Sequence, residues 1–209
     1  MNSTISPRTY RAMYRLLDMV NPIDSDCGKL CGAVCCTCTY EPEDFEFSAE
    51  GDCNADEYMG LFLLPGEEKI HFEDTSEDAV HGEMEGDWFK WGYVMAEDYE
   101  YPESWTGKVY VMQCKDAPVC PREKRPIQCR TFPLAPHIDE DGIFHLIRFS
   151  DELPYACPLI DEDMPLNEDF AKATFTVWKH LIKDPLIYDL VEMDSEIRIE
   201  EGQEITIVI

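Results

Sequence analysis

The chain has 209 residues, with 44 acidic side chains against 17 basic ones and a formal charge of −27. Such a surface repels phosphate backbones and anionic lipid, which excludes nucleic-acid binding and membrane docking through a basic patch. A 44% hydrophobic fraction at this length suits one domain, residues 1–209, that needs no cross-links, and the longest apolar stretch, Tyr58 to Leu64, is far too short to span a bilayer.

The first twenty residues carry Arg8, Arg11 and Arg15 and lack the unbroken apolar run of a secretory leader, so a cytoplasmic location is expected. In a reducing compartment, clustered cysteines are more often metal ligands or redox groups than structural disulfides. Residues 8–20 read as a helix, with Tyr10, Met13, Tyr14, Leu17 and Val20 on one face, Pro7 at the start and Asn21-Pro22 at the stop. A loop then carries Cys27, Cys31, Cys35, Cys36 and Cys38, five thiols in twelve residues, with Gly28 and Gly32 letting the backbone turn tightly. Residues 41–57 are acidic and polar, a loop or short edge strand that holds Cys53. Tyr58–Leu64 and Lys69–Phe72 read as two strands around a Pro65-Gly66 turn.

Trp88, Phe89, Trp91 and Tyr93 lie in an acid-rich stretch and are assigned to the core, where most aromatics of such a chain go. Val109–Met112 is a strand that delivers Cys114. Asp139-Glu-Asp-Gly142 is a turn, too short for a twelve-residue calcium loop, and Gly142–Arg148 is the strand after it. Asn167 to Lys183 is a helix capped by Asn167, with Phe170, Thr174, Val177, Trp178 and Leu181 on its inner face. Pro185 ends it, Leu186–Val191 is a second short helix, and Glu204–Ile209 is a terminal strand. The expected class is α+β: one compact domain with a loop-built, cysteine-rich metal site, short antiparallel strands and flanking N- and C-terminal helices.

The chemistry sits in two cysteine runs. The second, Cys114, Cys120 and Cys129, is expected to fold back onto the first. Five of the chain's 17 bases, Lys115, Arg122, Lys124, Arg125 and Arg130, fall between Cys114 and Arg130. Several thiolates on one centre leave net negative charge, which nearby guanidinium and ammonium groups offset. Arg122, Arg125 and Arg130 are therefore the candidate cofactor-binding cations, the other reading being an anionic-substrate patch. Only Cys35 and Cys38 show the C-x₂-C knuckle of structural zinc, which favours an iron–sulfur cluster over Zn²⁺. Cys31-x₃-Cys35-x₂-Cys38 has the spacing of radical-SAM enzymes but follows a helix and precedes no βα succession. His137, eight residues after Cys129, is a secondary ligand candidate; a lone histidine is more often a satisfied side chain.

The pattern Cys27…Cys31…Cys35-Cys36, then Cys114…Cys120…Arg125-Pro126-Ile-Gln-Cys129-Arg130-Thr-Phe132-Pro133, resembles the YkgJ-type cysteine-cluster family. That family is described as a zinc- or iron-chelating domain, also as an iron–sulfur oxidoreductase. The resemblance covers about residues 24–36 and 114–160, and implies metal ligation by Cys27, Cys31, Cys35, Cys36, Cys114, Cys120, Cys129 and Cys157. Cys38 and Cys53 are extra to it. A branch with a similar motif methylates flagellin lysines, a pointer to protein modification.

Three readings follow. The first is a metal-binding protein holding an iron–sulfur cluster or Zn²⁺. The second is an enzyme, redox-active or a methyltransferase-like modifier of proteins, with a pocket near Arg122, Arg125 and Arg130. The third is a disulfide-bonded interaction module. The partners left open are another protein or an anionic small molecule.

Overall fold

The first helix follows directly from its sequence. In the computed structural model, which describes residues 1–25, 27–37, 60–71, 84–85, 89–114, 122–151, 153, 155–162 and 164–209, α1 runs Pro7–Asp18. The Ser6 hydroxyl caps it by accepting from the Thr9 amide at 3.2 Å. Pro7 sits in the first turn, where a missing N–H leaves no bond unmade. Tyr10, Met13, Tyr14 and Leu17 are buried.

The cysteine stretch is more regular than a loop. It forms two single turns of helix, α2 (Gly28–Cys31) and α3 (Val34–Thr37). Gly32 at φ 69° and Ala33 at φ 58° separate them. Gly28 lies inside the first turn, so only Gly32 uses the freedom of glycine that the sequence suggests for both.

Strands β1 (Gly60–Phe62), β2 (Met84–Glu85), β3 (Phe89–Met95) and β4 (Lys108–Cys114) form an antiparallel sheet in the order β1-β4-β3-β2. The expected strand at 69–72 is instead a helical turn, α4 (Glu68–His71). The Pro65-Gly66 turn winds on rather than reversing: Lys69 N–H donates to the Gly66 carbonyl and Ile70 N–H to that of Glu67. Gly66, at φ 90°, also lies where a Cβ would come within 2.8 Å of the Ser3 Cβ.

After the short helix α5 (Ile127–Thr131), β5 (Leu134–Ile138) and β6 (Phe144–Arg148) form a hairpin. Its turn is the expected one. Asp139 Oδ1 accepts from the amides of Asp141 and Ile143, at 3.0 and 2.8 Å, and Gly142 takes φ 76°. The tail lies along β6 through a single bridge, Ile147 to Ile207, rather than as a full strand.

A one-turn helix, α6 (Pro158–Asp161), precedes the two long ones, α7 (Glu168–Leu181) and α8 (Pro185–Glu200). All five inner-face residues expected of α7, Phe170, Thr174, Val177, Trp178 and Leu181, are buried. Asn167 occupies the cap position, but its side chain makes no cap bond; it donates to the Asn21 carbonyl, tying α7 to the chain just before the cysteines. Helix α8 is ten residues longer than the six of Leu186–Val191, because its inward stripe continues through two polar residues, Ser195 and Arg198. Ser195 accepts from the Ile138 amide, and Arg198 pairs with Asp151 and donates to the Pro136 carbonyl. Helices α1, α7 and α8 enclose the core with the β5–β6 hairpin, and Tyr10, Leu17, Leu146, Phe170, Leu181 and Ile187 are fully buried there. Of the aromatics assigned to the core, Phe89 is buried and Trp91 and Tyr93 half-buried, while Trp88 lies outside the described residues. The architecture is α+β. No helix among the described residues is long and apolar enough to cross a membrane.

Candidate metal centre

Three separate parts of the chain meet at the C-terminal end of α1. Arg122, in a 3-10 turn before α5, donates through Nη2 to the carbonyls of Val20 and Leu17, at 2.8 and 3.4 Å, capping that helix end. The start of α7 also reaches it, with the Asn167 amide donating to the Pro22 carbonyl at 2.9 Å. Cys27 and Cys31 lie just beyond.

Cys157, at the start of α6, lies within the electrostatic reach of both. Cys31 and Cys157 carry free thiols. Burial pushes the Cys157 thiol up, the amides of Leu159 and Ile160 pull it down, and negative charge on Cys31 and Cys27 pushes it up again. Two amides directed at a sulfur favour its thiolate, as around metal-bound thiolates. The Cys157 amide is held by Asp161 Oδ2 at 2.7 Å, which fixes the turn.

The cations gather beside these thiols. Burial lowers the Arg122 guanidinium, as do Arg125 and Arg130, while Cys27 and Asp18 oppose the shift. Arg130 is fully buried; its Nη1 pairs with Asp18 and donates to the Tyr14 carbonyl, and its Nε donates to the Arg125 carbonyl. The guanidinium stacks 4.2 Å from the centre of the Tyr14 ring. Arg122 and Arg130 thus fasten the second cysteine run to the helix that leads into the first. Cys129, on α5 beside Arg130, places its charge in the field of Tyr14.

The other expected ligands are on β4 and α3 or lie outside the described residues. Cys114 is buried at the end of β4, in an apolar cluster with Leu63, Phe89 and Met112. Cys35 is exposed, and Cys36 follows it in α3. Cys38, Cys53 and Cys120 lie outside the described residues. Among the described residues, no three His, Cys, Asp or Glu side chains are grouped as a metal site. His137 is buried on β5 among Arg198, His145 and Asp139, so its surroundings are the hairpin and α8 rather than the cysteines.

The enzyme reading expects a pocket near Arg122, Arg125 and Arg130. A cleft of about 910 Å³ lies elsewhere, between the end of β6 and the end of α8, where Arg148, Asp151, Ile160, Ile197 and Glu201 line it.

Sequence reasoning missed a polar cluster next to Arg130. Glu67, fully buried, accepts from the Tyr14 hydroxyl at 2.5 Å and from the amides of Ile127 and Leu64, at 2.8 and 3.1 Å. The Tyr14 oxygen also lies 2.9 Å from Nε2 of His71. The sequence places Tyr14 in the apolar stripe of the first helix and gives Glu67 no role of its own. The one available signal was a tyrosine at an inward helix position, whose hydroxyl needs a partner when buried. No protein-family model matches this chain, no curated protein is similar to it, and no solved structure resembles it.

Proposed function

We propose that the protein binds a thiophilic metal centre, an iron–sulfur cluster or Zn²⁺, between the Cys27–Cys36 stretch and the later cysteines. The observation that carries this reading is the position of Cys157, which shares one electrostatic neighbourhood with Cys27 and Cys31 although 126 positions separate it from Cys31 in sequence. The donor set fits such a group in kind. Thiolates are soft ligands, the Leu159 and Ile160 amides favour the charged sulfur of Cys157, and Arg122 lies in the field of Cys27. Cys27, Cys31 and Cys157 are the residues proposed to hold it, with Cys129 as a further candidate from the second run. The described side chains do not by themselves form a ligand set, so metal binding would draw them together and supply folding free energy.

The motif likeness to the cysteine-cluster family leads to the same reading. The bound group would supply redox chemistry if it is a cluster, and a structural clamp if it is zinc. The chain's own residues supply the rest: Arg122 and Arg130 hold the two cysteine runs against α1 and offset thiolate charge.

The test is anaerobic purification followed by visible absorption and assays of iron, sulfide and zinc per chain. Brown protein with matched iron and sulfide supports the cluster, and colourless protein with stoichiometric zinc supports the clamp. Cys27→Ser and Cys157→Ser should each lower the metal content. Folded protein without metal, or variants that retain a full complement, would end the proposal.

A further inference from the structure

The cleft between the ends of β6 and α8 is a second site, and nothing in it depends on the metal. Its volume of about 910 Å³ is within the range of pockets that enclose small ligands. Part of the lining is apolar: Phe149 and Ile160 are half-buried, and Ile197 is 43% exposed. Phe149 packs against the Phe132 ring, 5.6 Å away between centroids, which holds that part of the lining in place.

The rest of the lining is polar, and its charges are unequally matched. Asp151 is paired with Arg198. The Arg148 guanidinium is turned to the backbone, where it donates to the carbonyls of Leu159 and Met164. Glu201 and Glu204 are exposed and form no ion pair among the described residues. A hydrogen-bonded chain orients the first of them. Ser150 Oγ donates to Gln203 Oε1 at 2.8 Å, and Gln203 Nε2 donates to Glu201 Oε2 at 2.9 Å. The Gln203 amide is itself held by the Arg198 carbonyl at 3.0 Å.

Two unmatched carboxylates at a cleft, in a chain of formal charge −27, select a cation. The arrangement also says which kind. A metal ion needs its ligands gathered around one point, and among the described residues no three carboxylates, thiols or imidazoles are so grouped. An apolar lining adds nothing to the binding of a hydrated ion. A cation whose charges are spaced along methylenes meets both conditions, because its stem covers apolar surface while its ammonium groups stay at the wet rim. We infer that the cleft binds a linear aliphatic polyamine, with its methylenes against Phe149, Ile160 and Ile197 and its ammonium groups on Glu201 and Glu204. Each exposed ion pair contributes little by itself, so the binding depends on the charged and apolar contacts acting together.

The test is a titration of the full-length chain with spermidine, followed by amide NMR at about 0.15 M salt, where diffuse attraction is screened. The amides of Ser150, Ile197 and Gln203 should shift together and saturate, and Mg²⁺ at the same concentration of charge should leave them in place. Glu201→Gln with Glu204→Gln should weaken spermidine binding about fivefold, the loss of two exposed charge contacts. Ile197→Ser should weaken it about threefold through lost methylene contact. Glu168→Gln, on α7 with a side chain 87% exposed and outside the cleft, should leave it unchanged. Shifts spread evenly over the acidic surface, an equal response to Mg²⁺, or cleft variants that bind like Glu168→Gln would overturn the site. A tetralysine peptide that shifts the same amides at lower concentration than spermidine would overturn the polyamine in favour of a basic protein segment. The shift map and both competing cations are read on the wild-type chain, so a variant that fails to fold does not shelter the proposal.

Discussion

Two ends of α1 are held by different physics. Toward its N-terminus, Tyr10 packs in the apolar core with α7 and α8, where Phe170, Leu181 and Ile187 are fully buried. Toward its C-terminus, the helix meets α5 through a buried guanidinium, a buried carboxylate and two carbonyl caps. Apart from the Tyr10 hydroxyl, which donates to the Pro65 carbonyl at 2.8 Å, the first contact is non-directional and tolerates small shifts. The second requires each donor to find its acceptor, because a buried polar group left unpaired costs more than the bond it makes. The directional end is also the one that leads into Cys27 and Cys31, so their placement depends on the less forgiving of the two.

The comparison is broken most severely at the apolar end. Phe170→Ala should lower unfolding free energy by about 3–5 kcal/mol, the usual range for an aromatic removed from a closed core. Urea denaturation followed by tryptophan fluorescence measures it. At the polar end, Arg130→Met should cost about 2–3 kcal/mol. That is below the range for breaking a fully buried pair, because the Asp18 side chain is 41% exposed and can rehydrate. A double-mutant cycle with Asp18→Asn should leave a coupling of about 1 kcal/mol. Ser195→Ala should cost about 1–2 kcal/mol, since it leaves the buried Ile138 amide without its acceptor. Ser6→Ala should cost about 1 kcal/mol, a surface cap lost at the N-terminus of α1.

The pH dependence sets two groups against each other. Burial first, then Asp151, raises Asp194 from 3.8 to about 6, against Arg198. Between those values the native state keeps a proton that the unfolded chain releases, so this group makes stability fall as pH rises. His71 runs the other way. Its native value of about 4 lies below the 6.5 of an ordinary imidazole, so the unfolded chain binds the extra proton and stability rises with pH across that window. The two contributions run in opposite directions from about pH 4 to 6. Relative to it, Asp194→Asn should gain stability with rising pH and His71→Gln should lose it. Parallel profiles for all three proteins would show that neither burial matters.

The α7 face and the hairpin turn were legible because each is settled within a few residues. Phe170, Thr174, Val177, Trp178 and Leu181 repeat at the period of a helix, and Asp139 binds the amides of its own turn. Two kinds of feature were misread. His71 looked like a strand residue because the run from Lys69 to Phe72 alternates, yet the turn at Gly66 continues as a helix. The far half of α8 was missed because Ser195 and Arg198 look outward-facing in sequence, and only the partners Ile138, Pro136 and Asp151 reveal them as inward.

The candidate site divides in the same way. Its chemistry was written in the chain: ten cysteines, the crowding of five of them into twelve residues, and the scarce bases beside the second run. Those are properties of composition and spacing, and no fold is needed to read them. Which thiols approach one another was decided by tertiary structure. Cys157 enters the field of Cys27 and Cys31, and the start of α7 that follows it is tied to the chain after α1, whereas Cys114 is carried into the sheet by the strand that bears it. The Glu67–Tyr14–His71 chain likewise has no sequence signature. Its members belong to two distant segments, and their hydrogen bonds exist only once burial has removed the water that would otherwise satisfy them.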